Sequence, residues 1–176
     1  MSERRARQAG YNLIEVLIAM GLLATVMLSI VTLFVMGRAN VYSGKQMTRA
    51  VSVGTSVSED LNSLSVIRTL STFGIPAGAT PTSNTVAGVT YPNSIIRSTA
   101  DLSNDPEGLL ARWNDLIPDA RLSDARVTLV VLPRDLVTSS DLTSARVLQL
   151  KVVVEWNEAR RQRNVVLDIA KLNRSV

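Results

Sequence analysis

Two residue types are missing altogether: the 176 residues contain no cysteine and no histidine. That removes thiol and imidazole nucleophiles and bases, thiolate and imidazole metal sites, and every disulfide. A metal would need oxygen ligands alone, as Ca²⁺ and Mg²⁺ accept. With no convincing carboxylate pair either, the composition points away from an enzyme and asks for no cofactor. The missing cysteines assign no compartment, because an exported domain can do without disulfides. Charge is sparse, at 19% of residues against 46% hydrophobic, and the net charge is +4. Arg4, Arg5 and Arg7 against Glu3 supply +2 of that, and the remainder is too nearly neutral to imply a nucleic-acid partner.

What the chain does have is a long apolar run. It opens at Gly10-Tyr-Asn-Leu-Ile-Glu-Val-Leu-Ile-Ala-Met20, lasts to Met36, and is broken by one charge, Glu15. As a helix rising ~1.5 Å per residue it exceeds the roughly 20 residues that cross a bilayer. Upstream, residues 1–10 are short and basic and have no apolar section of their own, whereas a secretory signal places its apolar region before the cleavage site. The basic residues hold this leader in the cytoplasm and put the downstream chain outside. A carboxylate in such a run costs about 2.5 to 3.5 kcal/mol on insertion scales and needs a reason.

Gly10, an aromatic, two further residues and then Leu-Ile-Glu-Val-Leu-Ile-Ala-Met resemble the class III signal of type IV pilins and pseudopilins. Tyr11-Asn12 stand where that family usually has Phe-Thr. The resemblance implies cleavage after Gly10 by a prepilin peptidase, N-methylation of Tyr11, and insertion in the inner membrane as a single pass with the head in the periplasm. It also implies a type IV pilin fold of class α+β: a long N-terminal helix, transmembrane in its first half and amphipathic in its second, packed on a C-terminal antiparallel sheet. In the family the carboxylate matching Glu15 neutralises the N-terminal amine of a neighbouring subunit and sets the register of assembly. An unpaired carboxylate in a low-dielectric bundle is costly, so registers that pair it are favoured. The plainer alternative is that Glu15 snorkels to the cytoplasmic interface.

Residues 11–37 are read as the membrane and filament-core helix and 38–72 as its amphipathic continuation. Met47, Val51, Gly54, Val57, Leu61, Leu64, Ile67 and Leu70 recur at intervals of three or four and form a stripe to lie under a sheet. Gly21, Gly37, Gly44 and Gly54 each cost about 1 kcal/mol in a helix interior and mark soft points. No proline breaks this helix, although many type IVa pilins carry one there.

The head is read over 73–176. Phe73 to Pro81 end the helix, and the polar run to Asn84 is a surface loop, either a contact region or a plain connector. Weak strands follow at Val86 to Tyr91 and Ser94 to Thr99. Residues 105–117 read as a short helix: Asp105 caps, Pro106 fits the first turn, Leu109, Leu110, Trp113, Leu116 and Ile117 share a face, and Pro118 ends it. Trp113 and Trp156 are assigned to the head core. Asp101, Asn104, Asp105 and Glu107 match no Ca²⁺-loop spacing, so capping and solvation explain them better and no metal is assigned. Strands are expected at about 125–132, closed by Pro133, and at 146–156 and 164–171. The last two form an antiparallel hairpin, from the strict alternation of Leu148, Leu150, Val152, Val154 and Trp156 and then Val165, Leu167 and Ile169. Arg160, Arg161 and Arg163 cluster at its tip, as a solvated turn or a contact for an acidic partner.

The order of a Trp-containing helix ending in Leu-Ile-Pro, a strand, and a Val-rich strand running into Glu-Trp is similar to PilV-type minor pilins, which usually have Gly or Asp in the hairpin turn. This second resemblance implies a minor pilin of the type IV pilus priming or tip complex. Its partners would be other minor pilins, the major pilin, the prepilin peptidase and the inner-membrane assembly platform, and its place after assembly the pilus tip. A minor pseudopilin of a type II secretion system fits the same features, and a pilus-tip adhesin is the reading from another class.

Overall fold

The computed structural model describes residues 13–136, 141–159 and 161–173. The chain divides into two compact units, Met1–Ser43 and Gly44–Val176, and helix α1 (Leu13–Ser63) contributes to both.

In the first unit the described residues are α1 alone, and none of them is buried. Its mean hydropathy peaks at 2.5 over an 18-residue window, so by length and composition it suits a membrane span. Three hydroxyls lie in the apolar run from Leu13 to Met36. Thr25 Oγ1 donates to Leu22 O at 2.8 Å, Ser29 Oγ to Thr25 O at 2.9 Å and Thr32 Oγ1 to Leu28 O at 2.8 Å. Each is satisfied within the helix and asks nothing of a hydrocarbon surrounding.

The second unit is an antiparallel five-stranded sheet with helices on one face, which makes the chain an α+β protein. The strands β1 (Thr82–Val86), β2 (Val89–Ser98), β3 (Arg126–Leu136), β4 (Ala145–Glu158) and β5 (Arg161–Leu172) follow one another across the sheet in sequence order. α1 from Gly44 to Ser63, α2 (Val66–Thr72) and α3 (Leu109–Ala120) cover one face. Alternation along the strands makes that face apolar: Val127, Leu129 and Val131, then Leu148, Leu150, Val152, Val154 and Trp156, are all buried there.

Five expectations from the sequence are corrected. First, the helix read over 38–72 is two helices. α1 stops at Ser63, Ser65 caps α2 by accepting from Arg68 N at 3.2 Å, and α2 ends at Phe73 before left-handed Gly74 (φ 56°). Second, the buried stripe is rotated from the one expected. Gly54, Val57, Leu61 and Leu70 face the core, but Met47, Val51 and Ile67 are exposed, and Gln46, Ala50 and Val53 take their place. Gly54 marks a close approach and no soft point, since a Cβ there would lie 2.4 Å from Leu167 Cδ1.

Third, the expected strand from Val86 to Tyr91 is interrupted by a two-residue turn. Ala87 (φ 51°) and Gly88 (φ 77°) close a hairpin of β1 on β2, so Thr82 to Asn84, read as loop, are strand. A bulge at Pro92 and Asn93 (φ 51°) then breaks the ladder. β2 pairs with β1 before the bulge and once more at Thr82↔Ser94 after it, and with β3 from Ile95 to Ser98. Val86 and Tyr91 pack with Val130, Leu132 and Val153, giving the opposite face of the sheet a small core of its own.

Fourth, Pro118 does not end α3, which continues to Ala120. A proline in the last turn forfeits only one intrahelical bond, and the stop comes at left-handed Arg121 (φ 52°), whose N donates to Pro118 O at 2.9 Å. At the other end Gly108 holds the cap position, while Asp105 reaches forward to accept from Ala111 N at 2.8 Å. Fifth, Pro133 does not close β3. The ladder with β2 stops at Val131, so at Pro133 that flank of β3 has no strand needing an N–H. The β4–β5 pairing is as expected and longer, running to Glu158↔Arg161, so the residues read as a broad turn from Asn157 to Arg163 are largely strand.

Candidate functional site

The first candidate is the exposed apolar helix. Glu15 sits in its first described turn, exposed, and no other charged residue follows until Arg38. The 22 uncharged residues between them span ~33 Å at the usual helical rise, close to the hydrocarbon thickness of a bilayer. Leu13, Leu17, Leu28, Leu33 and Phe34 are each 60% exposed or more. Apolar side chains point out all around the helix, and such a helix is stable only in lipid or among other apolar helices. The leader arginines Arg4, Arg5 and Arg7 and the Gly10-Tyr11 junction lie outside the described residues.

The head presents its expected site residues as packing groups. Trp113 is fully buried, its ring 5.3 Å from that of Phe73, and its Nε1 donates to Asp60 Oδ2 at 3.1 Å. Asp60 also accepts from Arg112 Nη2 at 2.7 Å, so one carboxylate of α1 fixes two successive residues of α3. Trp156 is 3% exposed, and its Nε1 has no hydrogen-bond partner among the described residues.

The acids weighed as a Ca²⁺ loop are engaged separately. Asp101 Oδ1 accepts from Ser103 N at 3.0 Å, and the Ser103 hydroxyl, together with that N–H, holds the carboxyl below the usual carboxylate range. Glu107 pairs with Arg68 at 3.0 Å and accepts from Thr72 Oγ1 at 3.1 Å. Among the described residues no three acidic side chains gather as a metal site. Of the arginines expected at the hairpin tip, Arg163 pairs with Glu158 at 3.2 Å, Arg161 is exposed, and Arg160 lies outside the described residues.

Three charged groups were not anticipated. Glu155, 1% exposed, accepts from Arg126 Nε at 2.7 Å and Nη2 at 3.1 Å and from Gln162 Nε2 at 2.7 Å, and the hydrogen bond to Glu155 raises Arg126 above its ordinary pKa. Arg97 Nε donates to Phe73 O at 2.8 Å and Nη2 to Gly74 O at 3.2 Å, which satisfies the end of α2. Burial lowers its pKa, against a smaller opposing pull from Asp101. Lys171, on β5, donates from Nζ to Leu64 O at the break between α1 and α2, and burial lowers its pKa. Its place on the strict alternation of β5 marked it as facing the helices; nothing in the sequence indicated which carbonyl it would meet.

Compared with family models, with characterised proteins and with solved structures, the chain gives no match. Its geometry therefore carries the functional argument alone.

Proposed function

We propose that this protein is a minor pilin: a non-enzymatic subunit held in the inner membrane by residues 11–37 and, after cleavage at Gly10-Tyr11, assembled into the priming or tip complex of a type IV pilus. The observation that carries the proposal is the first stretch of α1, residues 13–37, with apolar side chains on every face, no buried residue and one acid, Glu15, near its start. A lipid anchor alone would want no acid there. A helix that later packs among others like it uses one to select register, because only some staggers supply a cation. The head supports this reading by what it spends its polar groups on: Asp60, Glu155 and Glu107 each hold one element of the head to another.

Intact mass of the chain recovered from membranes tests the processing step. The expected product begins at N-methylated Tyr11, and a chain retaining residues 1–10 overturns the proposal. The same cells carrying Glu15→Val should hold normal amounts of membrane-inserted protein yet lose the subunit from sheared filaments. Recovery at wild-type level would show that Glu15 has no part in assembly. Co-purified partners separate a pilus from a type II secretion pseudopilus.

A further inference from the structure

Two charged residues are buried among the described residues of the head, Glu155 and Lys171, and only the first has an opposite charge beside it. Glu155 has Arg126. Lys171 is 9% exposed, yet among the described residues no carboxylate lies within 4.0 Å of its ammonium. Its one described partner is a neutral acceptor, Leu64 O. An ammonium carries three donors, and withdrawing it from water uncompensated is costly.

Lys171 lines an open cleft of about 340 Å³ between the α1–α2 break and the end of β5. Asn62, exposed on the opposite wall, adds an uncommitted side-chain amide. Beside it Leu172 is 72% exposed, an unusual state for an apolar strand residue. β5 is also the last strand of the sheet, so its outer edge from Arg161 to Leu172 is unpaired among the described residues. Such an edge is a template for an added strand. The strand carries Arg161, Arg163 and Lys171 against one acid, Asp168, and that acid is already paired with Lys151 at 2.5 Å.

We propose that this cleft is a docking site for an extended acidic segment of a neighbouring protein, which lies along the outer edge of β5 and places a carboxylate on Lys171 and an apolar side chain on Leu172. A carboxylate supplies the missing counter-charge and accepts the spare ammonium donors together with the Asn62 amide. The proposal stands on the head alone, so a chain found uncleaved in the membrane leaves it intact.

The test uses the full chain in uncharged detergent micelles and two fluorescein-labelled peptides, Glu-Val-Glu-Val-Glu and Gln-Val-Gln-Val-Gln, followed by anisotropy. The glutamate peptide should bind at least about tenfold more tightly, as one charge-assisted contact predicts. That preference should vanish in Lys171→Met, survive in Lys171→Arg, and be unchanged in Lys151→Met. Asn62→Asp alters an exposed residue and keeps the fold testable. It should supply the counter-charge from within the chain, raise the thermal midpoint and remove the preference. Equal binding of the two peptides, or a preference that persists in both Lys171→Met and Asn62→Asp, overturns the proposal.

Discussion

Between Leu13 and Ser43 α1 buries nothing, whereas between Gly44 and Ser63 it buries Gln46, Ala50, Val53, Gly54, Val57 and Leu61. The side chains differ in the sense opposite to simple burial. The large ones, Leu, Ile, Met and Phe, crowd the stretch the protein leaves uncovered, and the covered stretch buries mostly small ones, Ala50, Val53, Gly54 and Val57, beside Gln46 and Leu61. The second stretch is built to let a sheet come close, and its small residues cede volume to Leu167 and Val154. The first is left uncovered by the described residues and has the length and composition of a membrane span.

The largest expected break in that contrast comes from truncating an aromatic in each half. Trp113→Ala should destabilise the head by roughly 3–5 kcal/mol, because it empties a fully buried site and leaves Asp60 without an indole donor. Phe34→Ala, at a ring 76% exposed, should leave head stability unchanged. Urea unfolding of the full chain in micelles, followed by Trp156 fluorescence, reads both. A comparable loss in Phe34→Ala would mean that stability of the head does not rest on its own buried side chains alone.

Glycines give the next test. Gly54→Leu must displace Leu167 and should cost about 1–3 kcal/mol of head stability. A Cβ on Gly21 meets nothing within 4 Å, so Gly21→Leu should leave urea unfolding where it was. Equal midpoints for the two variants would show that α1 does not approach β5 at Gly54 as closely as described.

Legibility in the sequence follows the range of the interaction. The β4–β5 hairpin could be read because period-two alternation is local to each strand, and the apolar run because it needs only composition. Three of the displaced boundaries in the head involve proline. Pro92, Pro118 and Pro133 look like stops in one dimension, yet a bulge, a last helical turn and an unpaired flank all tolerate them. The helix stripe is displaced because hydrophobicity alone favours Met47 and Val51 over their neighbours Gln46 and Ala50, and the value of Ala50 lies in what it leaves out. Asp60 with Trp113, 53 residues apart, and Lys171 with Leu64, 107 apart, rest on docking that no local pattern encodes. For the candidate assembly helix the balance reverses, since Glu15 and its apolar setting are contiguous in the chain.

The smallest expected effect concerns Lys171. Burial holds its folded pKa below the ordinary lysine value of 10.5. Between those two values the unfolded chain binds more protons than the folded one, so stability rises with pH across the window and levels off once both forms are neutral. The penalty is thus fully present at neutral pH and relieved toward 10.5. The slope is bounded by one proton, ~1.4 kcal/mol per pH unit, and partial exposure of the group makes it smaller. Urea midpoints of the wild type and Lys171→Met, measured from neutral pH upward, isolate the effect, because every other titrating group is common to both proteins. The difference between them should shift steadily in favour of the wild type as pH rises. A difference that stays flat would mean the ammonium is already compensated, and would remove the imbalance that an acidic neighbour is proposed to correct.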